Sequence, residues 1–296
     1  MEWQNTCILN GDNMKKTDIF FLIHNYNTVP TNLTEYCDNF LIMDSSDDEE
    51  VKRKLDETYP ADKIMHIENT GHNLTSYFDY FIRHYDNLPE YIALLKGNII
   101  GRHVSQEFFD RAYDNHFFTF LYEEKNMRAK YEKASEECPA FLLDETHFAE
   151  FNSSWYMRQS HSYRYFYDLD DFIRFVYEEA VIPKYATFAP GGCYIISKHQ
   201  VLKNSVTFYK NLNTLMEYRK EYNFPAEAYL VERIMPYIFG SNYKTRSWME
   251  DEAEFARMLE KCEESTKAHD AWNSQHLKRV KMWLGAKPPV FLEGIL

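Results

Sequence analysis

The sequence predicts an α/β fold, a mostly parallel sheet flanked by helices, with a helical C-terminal appendage. Three observations carry that expectation. Short β-rich apolar runs are each stopped by polar or glycine residues, segments of helical period lie between them, and the chain from about 247 onward reads as helix alone.

Asp18 to His24 reads as a buried strand ending in the polar turn Asn25-Tyr26-Asn27. Phe40 to Met43 is a second strand, stopped by Asp44, Ser45 and Ser46. The charged residues 47–57 then suggest a surface helix, and Lys63 to Ile67 a third strand. Leu74, Tyr77, Phe78, Phe81, Ile82 and Tyr85 recur at helical spacing, with Asn73 or Thr75 available as the cap and Leu88-Pro89 as the stop. This helix begins directly after Asn69-Thr70-Gly71-His72-Asn73. Tyr91 to Leu95 is a strand that runs straight into Lys96-Gly97-Asn98, and Phe117 to Leu121 is another. Residues 123–165 read as a polar, irregular insertion. Asp168 to Asp171 can cap a helix through Phe172, Phe175 and Val176. Tyr185 to Pro190 leads to Gly191-Gly192 and the strand Cys193 to Ser197. One long helix carries Val201, Phe208, Leu212, Leu215 and Met216. Pro225 opens the next, which holds Glu227, Leu230, Glu232 and Arg233 and ends at Phe239-Gly240. Ser247 and Glu250 form a capping box before Phe255, Met258, Leu259 and Cys262. The expected division is one large domain, 1–246, and an appendage, 247–296.

Composition removes several classes. At 296 residues, with 45% hydrophobic and 27% charged residues, the chain can bury a sizeable core. No run reaches the roughly 18 apolar residues of a spanning helix, and the first residues lack the order of a secretory signal, so a soluble cytoplasmic protein is expected. Five cysteines, at 7, 37, 138, 193 and 262, form no CxxC pair, which argues against a disulfide framework or a cysteine zinc site. Cys193 has no activating neighbour in sequence and reads as an inert buried thiol. A formal charge of −13 repels phosphate backbones, so nucleic acid is not expected as a partner, although a local anion site stays open. GxSxG, P-loop and GxGxxG motifs are absent, which disfavours serine hydrolases, nucleotide triphosphatases and nicotinamide oxidoreductases. The 11 histidines make no HxxxH or HxH pair, but His24, His66, His72 and His103 lie at strand ends where they could converge.

Glycine is scarce, 9 residues against roughly 21 expected from average usage, so each marks a place where backbone geometry matters. Ligands of open parallel sheets bind beyond the carboxyl ends of strands, and three loops there are candidates: Asn25 to Asn27, Asn69 to Asn73, and Lys96 to Asn98. The second combines a glycine with a helix start, which suits a diphosphate.

Residues of about 66–113 and 185–240 resemble a family of uncharacterised domains placed among the GT-A-fold, nucleotide-sugar-dependent glycosyltransferases. The first block is HIENTGHNLTSYFDYFIRHYDNLPEYIALLKGN; the second is FAPGGCYIISKHQVLKNSVTFYKNL followed by FPAEAYLVERIMPYIFG. The resemblance implies a GT-A-like Rossmann-type sheet. Its first half, about 17–122, would bind the nucleotide and diphosphate, and its second, about 166–246, the acceptor. Such enzymes usually carry an Asp-x-Asp metal site at the end of the fourth strand, and here Lys96-Gly97-Asn98 stands in that place. With Arg102 or His103, Lys96 could neutralise the leaving diphosphate directly, without Mn²⁺ or Mg²⁺.

The expected donor contacts are Asn25, Tyr26, Asn69, Gly71, His72, Asn73, Gly97, Asn98, Arg102 and His103, with Lys96 catalytic. Gly191, Gly192, Tyr194 and Trp155 are expected on the acceptor side. Inverting transfer needs a carboxylate base, for which Glu232 and Glu227 are the candidates; the blander reading is that Glu232 pairs with Arg233. Trp155, Tyr156, Tyr163, Tyr165, Phe166 and Tyr167, with Arg158 and Arg164, could stack on sugar or base rings, or pack beneath a loop. Residues 267–287 could form a basic amphipathic helix lying on the inner face of a membrane, or dock on the acidic body. The expected function is sugar transfer from a UDP- or GDP-linked donor to a glycan, lipid-linked or protein-linked acceptor. The rivals are a catalytically silent sugar- or nucleotide-binding module and a metal-dependent phosphoester hydrolase built from the histidines with Asp44, Asp144 or Glu145.

Overall fold

A computed structural model of the protein describes residues 16–70, 72–123, 140–142, 148–151, 163–182, 185–217 and 226–274. Its strands are β1 (Phe20–Asn25), β2 (Phe40–Asp44), β3 (Ile64–His66), β4 (Tyr91–Lys96), β5 (Thr119–Phe120), β6 (Ala140–Leu142), β7 (Phe148–Phe151), β8 (Tyr185–Phe188) and β9 (Tyr194–Ser197). The helices are α1 (Thr31–Thr34), α2 (Glu49–Thr58), α3 (His72–His84), α4 (Ile99–Arg102), α5 (Gln106–Ala112), α6 (Leu169–Val176), α7 (Lys198–Val201), α8 (Val206–Met216), α9 (Ala226–Gly240) and α10 (Glu252–Ser274).

One sheet has six strands in the order β3-β2-β1-β4-β9-β5. The first four are parallel, but β9 runs antiparallel to both β4 and β5, so the sheet is mixed rather than mostly parallel. The apolar run of β9 reads the same in either direction; only its pairing of Leu94 with Tyr194 and Ile92 with Ile196 sets the sense. The central strands are continuous apolar runs because both faces are covered. Phe20 and Leu22 of β1, with Ile92 and Leu94 of β4, enter one core. Phe21 and Ile23, with Ala93 and Leu95, enter the other. In the first core Tyr209 packs 5.3 Å from Phe78 and 5.4 Å from Phe81, joining α8 to α3, and Phe81 meets Phe239 of α9 at 6.3 Å.

A second sheet, β6-β7-β8, is antiparallel and draws two strands from the insertion expected to be irregular. Those strands are three and four residues long and are completed by β8, well downstream, so no local pattern announces them. The single long helix expected through Val201 to Met216 is two. Ser197 makes a capping box with Gln200 for α7, and Ser205 accepts from the Phe208 amide to start α8. Neither Asn73 nor Thr75 caps α3: the Asn73 amide donates to the Gly191 carbonyl, and the Thr75 hydroxyl to that of His72. Ser247 and Glu250 lie in a 3-10 turn, and Asp251 accepts from the Glu254 amide at the start of α10 instead. Glu250 is engaged by the hydroxyls of Ser205 and Thr245. Phe255, Met258, Leu259 and Cys262 of α10 share the first core. Among the described residues no helix is long and apolar enough to cross a membrane.

Phe81 is fully buried where α3, α8 and α9 meet. Phe81→Ala is expected to lower unfolding free energy by about 3–5 kcal/mol, read from denaturant midpoints at constant m-value.

Candidate functional site

The chain leaves β1 for β2 and β3 on one side and returns as β4 on the other, so the strand order reverses between β1 and β4. Open sheets form a ligand crevice at the carboxyl ends of strands beside such a point. Here those ends are Asn25 and Lys96, tied by the Gly97 amide, which donates to the His24 carbonyl at 2.8 Å. A Cβ on Gly97 would lie 2.5 Å from Asn25 Oδ1 and 2.8 Å from Thr28 Oγ1, so only glycine lets the end of β4 come this close. Asn25 is fully buried and braces the floor. Its Nδ2 donates to the Thr28 carbonyl and to Asp44 Oδ1, both at 2.8 Å, and its Oδ1 accepts from the Thr28 hydroxyl at 2.6 Å. Expected as a donor contact, Asn25 instead has its amide consumed by these bonds, because a buried amide must be satisfied locally.

Two adjoining cavities open at this end of the sheet. The first, of about 260 Å³, is lined by Tyr26, Thr28, Asn69, His72, Asn73, Lys96, Gly97, Asn98 and Arg102, with His24 at its base. The second, of about 310 Å³, shares His72, Asn73, Lys96 and Arg102 and adds His103, Gly191, Tyr229 and Glu232. Most expected donor contacts are thus brought to one wall, although they come from three separate stretches of chain.

Among the described residues no carboxylate lines the first cavity. Lys96 and Arg102 bring positive charge to it, while burial, then Lys96 and His72, hold the His24 ring down at about 3; in the second cavity burial, Lys96 and Arg102 hold His103 down at about 3 as well. The sequence offered His103 as a possible cation beside Lys96; in the folded chain low dielectric and two nearby cations keep its ring uncharged. The first turn of α3 opens at the same place. In a chain of formal charge −13 this is a locally anion-receptive cleft. Asn27 and His72, flanking it, hold φ of +51° and +55°, a left-handed backbone that costs non-glycine residues energy and clusters at functional sites.

In the second cavity a network joins separate elements. The Gly191 amide donates to Glu232 Oε1 at 2.7 Å, and the Gly191 carbonyl accepts from Asn73 Nδ2 at 2.8 Å. The other carboxylate oxygen of Glu232 lies 3.5 Å from Arg233 Nη1, and that guanidinium is buried over the Phe188 ring. Gly191 has φ +93°, and a Cβ there would sit 2.8 Å from His103 Nε2.

Other expected residues fall elsewhere. Tyr194, expected on the acceptor side, is fully buried on β9, its hydroxyl accepting from the Ala189 amide at 2.8 Å; strand alternation turns it into the core. Gly192 packs against Leu74, whose side chain a Cβ would meet at 2.8 Å. Glu227 is sealed inside: its Oε1 accepts from the Arg164 and Tyr165 amides at 2.6 and 3.2 Å, and it lines neither cavity. It clamps the chain entering α6, and of the two candidate glutamates it is Glu232 that lines the second cavity. His66 sits between Asp44 and Asp56, away from the other three histidines, and Asp44 is buried with its oxygens engaged by Asn25, Ser46 and His66. Phe166 packs on Phe172 and Phe175, and Tyr163 is buried. Gly71, Asp144, Glu145, Trp155, Tyr156 and Arg158 lie outside the described residues, as does most of 267–287, where Lys267 pairs with Glu263. Thr28 and Tyr229 line the cavities without having been picked out; Tyr229 falls three residues before Glu232 on α9, a spacing that could have indicated it. One group among the described residues could ligate a metal, Asp18 with Asp114 and His116, at the amino end of β1 and so across the sheet from the cleft.

Burial pushes the Glu227 carboxyl up to about 7 from 4.5 despite the two amides. Between these values the folded chain keeps a proton that the unfolded chain has lost, so this stabilisation is complete below 4.5 and is lost as pH rises through about 7. Glu227→Gln should flatten that fall in thermal or denaturant midpoints, leaving the part due to Asp171, which burial also raises to about 7. Gly191→Ala should lower stability by about 1–3 kcal/mol in the same assays, since it combines a disfavoured φ with a collision against His103.

Comparison with curated proteins and with solved structures returns no match. The model of a family described as protein of unknown function, DUF3431, matches residues 47–256. That span runs from the loop after β2 through the cleft and α9 to the start of α10 and is well over half of the chain, which therefore belongs to the DUF3431 family.

Proposed function

We propose that the protein is a GT-A-like glycosyltransferase that moves a sugar from a nucleotide-linked donor to a glycan, lipid-linked or protein-linked acceptor. One observation carries the reading: Lys96 and Arg102 line both cavities, with a pocket that has no carboxylate among its described residues on one side and Glu232 on the other. Such a cleft suits a substrate whose diphosphate departs beside a position where a second substrate is deprotonated.

The diphosphate occupies the first cavity against Lys96, Arg102, Asn98 and the start of α3, and the sugar reaches the second. Glu232 takes the proton of the acceptor hydroxyl as its oxygen attacks the anomeric carbon. The anomeric carbon–oxygen bond to phosphate breaks, and the electron pair leaves with the diphosphate, whose charge the two cations balance. Stereochemistry at that carbon inverts. In this reading cationic side chains stand where the related enzymes place a Mn²⁺ or Mg²⁺ site.

A second reading, a module that binds nucleotide or sugar without turnover, draws on a specific feature: Glu232 is already engaged by the Gly191 amide and by Arg233. For the hydrolase reading, Asp44 is buried and bonded to Asn25 and lines neither cavity, while Asp144 and Glu145 lie outside the described residues.

Titration of UDP- and GDP-sugars into the purified chain, with Mn²⁺ and with chelator, tests the proposal. Lys96→Ala and Arg102→Ala should each weaken nucleotide-sugar binding by about 10- to 100-fold, as expected for losing a charge-assisted contact. Glu232→Gln should lower turnover by about 10²–10⁴-fold with little change in donor affinity. Nucleotide release that chelator abolishes and Mn²⁺ restores would overturn the metal-independent mechanism; binding with no turnover would favour the module.

A further inference from the structure

His103 has no role in the mechanism above, yet its setting is unusual. Its backbone is anchored on both sides: the amide donates to the Ile99 carbonyl at 2.9 Å, and the carbonyl accepts from the Glu123 amide at 2.8 Å. The ring lines the second cavity, but its Nε2 is buried and has no hydrogen-bond partner among the described residues. Native structures rarely leave such an atom unsatisfied; strain, a chemical role, or a bound water, ion or ligand accounts for those that do. Nε2 faces Gly191, a residue without a side chain, where a Cβ would lie 2.8 Å from it, and Gly191 lines the same cavity.

The choice of ligand group follows from charge. Lys96 and Arg102 border the same cavity and are the better partners for an anion. An imidazole that stays uncharged beside them offers one nitrogen that donates or accepts, which matches a hydroxyl and gives a phosphate no charge to pair with.

We propose that His103 is a specificity-determining residue of the second cavity, its Nε2 exchanging a hydrogen bond with a hydroxyl of the ligand part that lies beyond the anion. This rests on the transferase reading in taking that part to be the donor's sugar. It goes beyond that reading in assigning hydroxyl recognition to one neutral side chain.

The test uses the full chain, with His103→Phe to keep a flat ring without polar atoms and His103→Gln to restore a hydrogen-bonding group. The probes are UDP, GDP, UDP-glucose, UDP-galactose and GDP-mannose. Relative to wild type, His103→Phe should weaken the sugar nucleotide that binds best by about tenfold and leave its parent nucleotide within about twofold, with His103→Gln recovering most of the loss. Equal weakening of nucleotide and sugar nucleotide, or no weakening of either, would overturn the assignment. In parallel, the ¹⁵N shift of the His103 ring is followed in wild type against glucose, galactose and mannose and against inorganic diphosphate. Movement with a hexose supports the proposal even if no nucleotide binds, an outcome that sinks the transferase reading alone. Movement with diphosphate only, or with no probe, sinks the proposal itself.

Discussion

The close meeting of β1 and β4 at their carboxyl ends is the constraint on which the rest of the cleft depends. Gly97 turns the chain where any Cβ would strike Asn25, and its amide closes onto the His24 carbonyl. Asn25 in turn holds Thr28 and the buried Asp44, so the loops after β1, β2 and β4 share one polar knot. Because every member of the knot is buried or partly buried, loosening one partner strands the others without water to replace it. The cations, the asparagines and the start of α3 are placed by that knot rather than by contacts with one another.

A second knot, around Gly191, joins the two halves of the chain. Its amide and carbonyl bind Glu232 of α9 and Asn73 of α3, while its missing side chain makes room for His103. Four segments far apart in sequence thus meet at one residue, and the second cavity exists because they do. Arg233 contributes from behind. A buried guanidinium requires compensation, and the adjacent Glu232 carboxylate, the Tyr229 carbonyl and the Phe188 face provide it. The same arrangement that could orient a catalytic carboxylate also fastens α9 to β8, so structure and chemistry draw on one set of contacts.

Much of this was legible in the chain. Apolar runs such as Phe20 to Ile23 and Ile92 to Leu95 identify central strands, because burial on both faces leaves no room for alternation. A glycine at the end of a strand, followed by a polar residue, singles out Lys96-Gly97-Asn98, and these three residues line the first cavity. What misled was chemistry read without burial. Asn25 and Tyr194 carry polar groups suited to a site, but their bonds are made inside the protein, and Glu227 is buried away from both cavities with one oxygen on two backbone amides. The spacing of Ser247 and Glu250 suits a capping box, yet tertiary contacts with Ser205 and Thr245 claim Glu250 first.

By itself the sequence determined the parallel core strands, the helix that opens the cleft and the stretches that supply its cations, because periodicity and turn chemistry are local properties. Only the tertiary structure decided the direction of β9, the existence of β6 and β7, and which of two glutamates faces the cleft. Each depends on pairing or packing between distant segments, and no local pattern encodes that. It also decided that His103 lies in the second cavity as an uncharged ring rather than a cation, because the burial and the neighbouring Lys96 that suppress its charge exist only once β4 and the turn after it are folded together.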